Sequence, residues 1–339
     1  MFSPQPHNSP HNQGVVDGII SGCKSFCLQT SIHGFNHIAA PKRHWIERLL
    51  WLVAVVTAVC GVVDISLGQW QRYRENPTVV TLEKDFRTWH YTMPAVTACV
   101  QNRTNQDKLQ NAIKSRWNVT PESHPTKYLY YRRFVDVVTS SDLYHLEGYE
   151  EFANDPDLNV DLFELVVELM PEQRVKLSTA EQITTPPKWT PVMTEVGACY
   201  TVNSLAITDV ALVKLTVNDT MDLPTTCKYS PQGCLFVFEN CDPIHYYVHS
   251  AYDIADVMTA PFPAYPSLNS VSDLSTTETR AGPGVRELQP RRRHCRYTDE
   301  PTASDRQVHS TNLCRQDCKS RLALQLCGCK PFYYFYAGI

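Results

Sequence analysis

Near the end of the chain Cys314, Cys318, Cys327 and Cys329 follow the spacing C-x3-C-x8-C-x-C, with Cys295 upstream. Thiols so arranged have two uses. C-x3-C suits a zinc thiolate site, and in an oxidising compartment the same residues are halves of disulfides. A second candidate for chemistry is Asp64, which lies within a long apolar run, where an ionisable side chain is a functional candidate by default. The alternative is that it sits near the interface and reaches headgroup water. Thr57, Gly61, Asp64 and Gly68 recur at i, i+4, i+7 and i+11, one face of a helix, with Val55, Val59, Val62 and Ile65 off that face. A small polar stripe of this kind is where another helix packs closely or where water runs. Patterns for catalysis are missing: there is no G-x-S-x-G, no H-E-x-x-H and no phosphate-cradling glycine loop. The chain reads as a non-enzyme with no cofactor and no resident metal, zinc at the cysteines being the alternative.

Which use the cysteines have depends on the compartment, and so on the membrane. The run Leu49 to Val63 carries no charge, and extended to Trp70 it reaches ~33 Å as a helix, enough for a ~30 Å hydrocarbon core. Trp45 and Trp51 mark one end and Trp70 and Tyr73 the other, as interfacial belts do. A soluble core helix or a signal peptide is the competing reading; the long preceding segment and the lack of a cleavage site argue against the latter. Basic residues flank both ends, so charge gives no orientation. The glycosylation sequons at Asn102, Asn118 and Asn218 all follow the run, as do ten of the 13 cysteines. This asymmetry predicts a cytosolic N-terminus, an extracellular remainder and disulfides rather than zinc. A net charge of −4 and a pI near 6.3 give no hint of nucleic-acid binding.

These residues need elements to hold them. Residues 1–30, rich in Pro, Asn, His and Gly, read as a flexible cytosolic tail in which Cys23 and Cys27 are reduced. Strands are expected at "PTVVTLE" (77–83), "MPAVTACV" (93–100), "ACYTVNSLAI" (198–207), "ALVKLTV" (211–217) and "HYYVHS" (245–250). Residues 103–190 favour helices, with "DLFELVVELM" (161–170) an amphipathic one whose Leu/Val face is core. Residues 261–290 read as a surface loop, closed by Arg291, Arg292 and Arg293 as a solvated basic patch or a protease-sensitive site. The predicted class is an α+β membrane protein: a tail over 1–46, one transmembrane helix over 47–70 and a disulfide-rich extracellular α/β domain over 71–339.

Several motifs in order resemble the degenerin/epithelial sodium channel family, also called amiloride-sensitive sodium channels, in particular its pickpocket branch. "SIHGFNHI" (31–38) resembles the His-Gly gating motif ahead of the first span, which gives His33 and Gly34 their expected role. "WQRYRENPTVV" (70–80) is similar to the family's exit from that span. "MPAVTACVQN" (93–102) resembles F-P-A-V-T-x-C-x-x-N with Met93 for Phe, and "GACYTVN" (197–203) resembles G-x-C-Y-x-x-N. "CRYTDE" (295–300) and the cysteine run are similar to the start of its thumb.

The resemblance implies a subunit of a trimeric, amiloride-sensitive, stimulus-gated sodium channel of the plasma membrane, homomeric or heteromeric. Its partners are other subunits, sodium ions and lipid. Palm strands would occupy about 71–101 and 191–250, the finger about 102–190 and the start of the thumb 295–339. It also implies a bond between Cys99 and Cys199, and partners for Cys295, Cys314, Cys318, Cys327 and Cys329 downstream of Ile339. No second apolar run follows Pro331, so the expectation is a subunit lacking its second span. Cys227, Cys234 and Cys241 have no assigned partners at this point. A single-pass glycoprotein with a receptor or adhesion role and no conduction is the alternative function.

Overall fold

The structure is a computed structural model that describes residues 11–82, 84, 86–179, 183, 186–229, 233–275, 277–300 and 307–336. The chain divides into two units, one of residues 1–80 with 283–294 and one of residues 81–282 with 295–339.

The first unit begins with three helices: α1 (His11–Gln29), α2 (Phe35–Ala39) and α3 (Trp45–Glu75). His44 caps α3, accepting from the Ile46 amide at 3.4 Å, and Arg43 pairs with Glu47 in the first turn. The 31 residues of α3 include an apolar window and no buried residue. At ~1.5 Å per residue its length is ~46 Å, so α3 extends past the expected 47–70 segment at both ends. A helix so apolar and so uncovered has its solvent in lipid.

The second unit is built on antiparallel strands. Its elements in order are β1 (His90–Thr92), β2 (Ala95–Val100), α4 (Gln106–Trp117), α5 (Pro125–Ser140), α6 (Leu162–Leu169), β3 (Lys176–Thr179), β4 (Thr190–Thr194) and β5 (Gly197–Val202). Then come α7 (Ile207–Val210), α8 (Val217–Thr220), β6 (Thr226–Lys228), β7 (Phe236–Glu239), β8 (Ile244–His249) and β9 (Pro261–Ala264). The chain next contributes α9 (Pro290–Arg293) to the first unit and α10 (Thr311–Cys327) to the second. The main sheet has the order β4-β5-β2-β8-β9, with the two-stranded pairs β1-β6 and β3-β7 beside it. β2 is central, and Ala95, Val96, Thr97, Ala98 and Cys99 are all buried. Both of its faces are covered, so its residues form an apolar run rather than an alternation. β9 is an edge strand with Pro261 and Pro263 in it, pairing with β8.

The helices α4, α5 and α6 form a core of Leu109, Ile113, Phe134, Val138, Leu165 and Leu169, completed by Tyr333 and Tyr334. Asn105 caps α4 by accepting from the Asp107 and Lys108 amides, and Asp161 caps α6 from the Glu164 amide. Trp117 stacks on Tyr131 with centroids 4.5 Å apart and donates to the Asp157 carbonyl at 2.8 Å.

Four expectations are corrected. Residues 11–29 are a helix, not a flexible tail: the polar composition is concentrated at the start, and from Val16 on apolar residues recur at helical spacing. The expected strand at 77–83 does not form among its described residues; Val79, Val80 and Leu82 are over 79% exposed, and none of the described strands pairs with them. Of 211–217, only Ala211 bridges to Val192 and the Leu212 amide donates to Pro191; the chain then turns into α8 through the Thr216–Asp219 capping box. Arg293 is not part of a solvated patch, since only 4% of it is exposed and it donates to the Leu288 and Arg286 carbonyls.

Candidate functional site

In the first unit the His33-Gly34 turn packs onto α3. Gly34 is buried with φ 95°, the N-cap of α2. A Cβ there would come within 2.8 Å of Val55 Cγ2 and 3.5 Å of the Trp51 ring. Glycine is therefore required twice, by the backbone angle and by the approach. His37 stacks on Trp51 at 4.6 Å. His33 is exposed and, with Ile32, Phe35 and Trp51, lines a groove of about 410 Å³ along α3. Thr57, Gly61, Asp64 and Gly68 are all exposed on α3; no atom lies within 4 Å of a Cβ built at either glycine. The Thr57 hydroxyl donates to the Val53 carbonyl at 2.8 Å, as helical threonines do in an apolar setting. Among the described residues nothing packs on this stripe, so the structure places the four residues along one uncovered helix and adds no fifth group.

The far end of α3 meets α9. His294 Nε2 donates to the Glu75 carbonyl at 3.0 Å, and the Arg292 guanidinium lies 5.7 Å from the Tyr73 ring centroid. A donor and a cation at a helix C-terminus satisfy its last carbonyls and oppose its dipole.

In the second unit Cys99 of β2 and Cys199 of β5 are bonded, Cα atoms 4.6 Å apart. The register sets Ala98 against Tyr200, which puts the two cysteines directly opposite; this is the close, non-hydrogen-bonded type of pair. Cys227 and Cys234 are also bonded. The other motif positions around β5 turn out to be anchors. Gly197, at φ 109°, leaves room for Arg103, whose guanidinium would lie 2.8 Å from a Cβ. That guanidinium donates to the Ser140 carbonyl and faces Asp142 at 3.8 Å; burial pulls its pKa down while Asp142 holds it up. Tyr200 donates to the Pro171 carbonyl at 2.9 Å. Asn203 donates to the Met93 carbonyl at 2.8 Å and accepts from the Thr225 amide at 2.7 Å. Nothing in their spacing alone announced these roles.

A polar cluster joins the sheet to α10. Glu195, in the turn between β4 and β5, is fully buried; Lys319 Nζ is 2.9 Å away and the Tyr334 hydroxyl donates to it at 2.6 Å. Burial, then the bond to Glu195, drives the Tyr334 pKa up. The Ser310 hydroxyl, N-cap of α10, donates to Asp253 at 2.9 Å, and Arg315 pairs with Asp256 at 3.3 Å. Burial raises the Asp253 pKa to about 6. Sequence reading missed Glu195 and Lys319, because an acid and a base far apart in the chain show no pattern until the fold joins them. Cys314, Cys318, Cys327 and Cys329 are exposed thiols on or just after α10, and Cys241 and Cys295 are exposed as well. Among the described residues no cluster of His, Cys, Asp or Glu is arranged to hold a metal. The acceptor asparagines Asn102, Asn118 and Asn218 are all exposed.

An uncovered apolar helix of 31 residues and an α+β domain carrying two disulfides define a membrane protein. The family model described as amiloride-sensitive sodium channel matches residues 26–338, and the chain belongs to that family. No curated protein matches the chain. The family is one of plasma-membrane sodium channels assembled from several subunits, and its activity is ion conduction rather than catalysis.

Proposed function

We propose that this chain is a subunit of a trimeric, stimulus-gated sodium channel that amiloride blocks, of the pickpocket branch. The observation that carries the reading is the packing of Gly34 against Val55 of α3 within a chain of this family. A turn locked onto a span by its lack of a Cβ moves with that helix, which suits a gating element. In this reading residues before α3 are cytosolic and the domain after it is extracellular, with glycans on Asn102, Asn118 and Asn218. The sheet β4-β5-β2-β8-β9 is the palm, α4 to α6 the finger and α10 the start of the thumb, whose cysteines Cys295, Cys314, Cys318, Cys327 and Cys329 serve as disulfide halves. The stripe of Thr57, Gly61, Asp64 and Gly68 faces neighbouring helices or the ion path.

Coexpression with a conducting family member tests this. The chain is expected to co-purify with the channel and to change a sodium current that amiloride blocks. Surface expression with neither association nor any change in current would overturn the proposal in favour of a single-pass receptor or adhesion glycoprotein.

A further inference from the structure

One stretch of the second unit has hydroxyl groups that its own fold leaves unused. Seven of the 13 residues from 267 to 279 are Ser or Thr, set between Pro263 and Pro266 on one side and Pro283 on the other. After β9 the chain makes one turn, the Leu268 amide donating to the Tyr265 carbonyl. It then runs to Gly282 with no helix or strand among its described residues. Every described residue from 265 to 282 is exposed, Thr276 lying outside the described ones. The run is fastened at both ends: β9 pairs with β8, and Arg280 donates to the His90 carbonyl and pairs with Glu278.

Elsewhere in this unit hydroxyls hold elements together. Thr97 bonds to Thr201, Thr104 to Thr139, and Ser204 donates to the Asp253 carbonyl. Among the described residues Ser267, Ser270, Ser272, Ser275, Thr277 and Thr279 make no such bond. Leu268, Val271 and Leu274, interleaved with them, are 67%, 89% and 53% exposed. Bare apolar residues on an irregular outer segment are where proteases nick a chain first. Ser/Thr runs with proline are the composition of O-glycosylated segments. N-linked sugar cannot serve here, because the one asparagine, Asn269, is followed by Ser270 and Val271 and so lacks a sequon. We infer that residues 267–279 are a modification site for O-linked N-acetylgalactosamine, and that the sugars cover Leu268, Val271 and Leu274. In the reaction a Ser or Thr oxygen bonds to the anomeric carbon of a nucleotide-activated N-acetylgalactosamine. The bond from that carbon to the diphosphate breaks, the nucleoside diphosphate leaves, and the hydroxyl proton passes to solvent. The inference rests on the reading of residues after α3 as extracellular.

The whole chain, expressed in animal cells, supplies the test. It is freed of N-glycans by glycosidase and cut after basic residues; the run then falls in one peptide, 229–280, because no Lys or Arg lies between Lys228 and Arg280. Electron-transfer mass spectrometry is expected to place N-acetylhexosamine on more than one hydroxyl of 267–279. An unreduced sample reports the Cys99–Cys199 bond as a check on folding. In a second arm all seven hydroxyl residues of the run are replaced by Ala. Chymotrypsin should cut this variant after Leu268 or Leu274 at least ~10-fold faster than the unaltered chain, as for an uncovered loop. Unglycosylated peptides of the two sequences should be cut alike. Bare hydroxyls in a chain that carries N-glycans would overturn the inference and leave the orientation standing. Phosphate on these hydroxyls in place of sugar would overturn it too, and equal cutting rates would remove the covering role. Absence of both N-linked and O-linked sugar would overturn the orientation and the inference with it.

Discussion

Lys319 Nζ lies 2.9 Å and 3.0 Å from the two carboxylate oxygens of Glu195, a side chain with no exposed surface. This pair fastens α10 to the turn between β4 and β5. Removing one partner strands a buried charge, which costs ~3–5 kcal/mol, whereas replacing both is far milder. Lys319→Met should therefore destabilise the second unit by about 3 kcal/mol, near the low end because Lys319 is 30% exposed. Adding Glu195→Gln should restore at least half. Denaturant unfolding of the solubilised chain measures both, and a Lys319→Met cost under ~1 kcal/mol would leave the pair as a surface-type bridge.

Two groups in the β8 region titrate in opposition. The His249 ring donates from Nδ1 to the Ser250 carbonyl at 3.0 Å, its Nε2 lies 2.8 Å from the Thr97 hydroxyl, and burial depresses its pKa to about 4. The unfolded ring takes a proton near ~6.5, so stability is lost as pH falls from there towards 4. Asp253 is pushed up to about 6 by burial, against the pull of Ser310 and the Ile254 amide. Its folded form takes the proton first, so stability is gained as pH falls from 6 to ~3.9. The two slopes nearly cancel. Asp253→Asn should expose a loss of stability on acidification from pH 6.5 to 4.5, and His249→Gln a gain, each on the order of 1–3 kcal/mol. Melting curves across that range decide it; unchanged profiles in both variants would refute the opposition.

The two staples should differ in weight. The Cys99–Cys199 bond spans 100 residues and the Cys227–Cys234 bond spans 7. Loop entropy assigns ~4.7 kcal/mol to the first and ~2.4 kcal/mol to the second. Paired Cys→Ser replacements, compared by denaturant midpoint, should rank in that order; the reverse order would show that the longer loop is already constrained in the unfolded chain.

Gly34→Ser is expected to displace α2 from α3, since the added Cβ meets Val55 Cγ2 at 2.8 Å. In channels containing this chain it should lower open probability at unchanged surface density. Val55→Ala should restore part of the loss by vacating the space, though not the part due to φ 95°. Unaltered current per surface channel would reduce His33 and Gly34 to an ordinary linker.

Orientation is read by glycans. Glycosidase treatment should increase the mobility of the expressed chain, and Asn→Gln at 102, 118 and 218 should abolish that shift. No shift in the unaltered chain, with an N-terminal tag exposed on intact cells, would reverse the orientation.

The span was legible in the sequence because nothing but lipid stabilises a run like Leu49 to Val63. The centre of the sheet was legible as well: β2, β5 and β8 are short β-branched or aromatic segments with clear boundaries. Expectations failed where none of the described strands pairs with the segment, as at Val79 and Val80, or where a local cap outweighed β-branching, as at Thr216. They also failed at α1, where the polar opening residues masked a stripe beginning at Val16. Of the site, the His-Gly turn was visible only through a motif. That the reason is a missing Cβ against Val55, and that Glu195 needs Lys319, are facts of three-dimensional contact.

The prolines of β9 have a consequence for how crowded copies behave. The ladder to β8 pairs Tyr246 with Phe262 and Ile244 with Ala264, and only those two residues of β9 can donate inward. Pro261 and Pro263 alternate with them, so the outward side of the strand has carbonyls but no amide hydrogens to offer. An incoming strand would find half of its bonds unanswerable. The β9 edge is thereby a poor template for edge-to-edge stitching, and crowded domains can meet at this edge without joining their sheets.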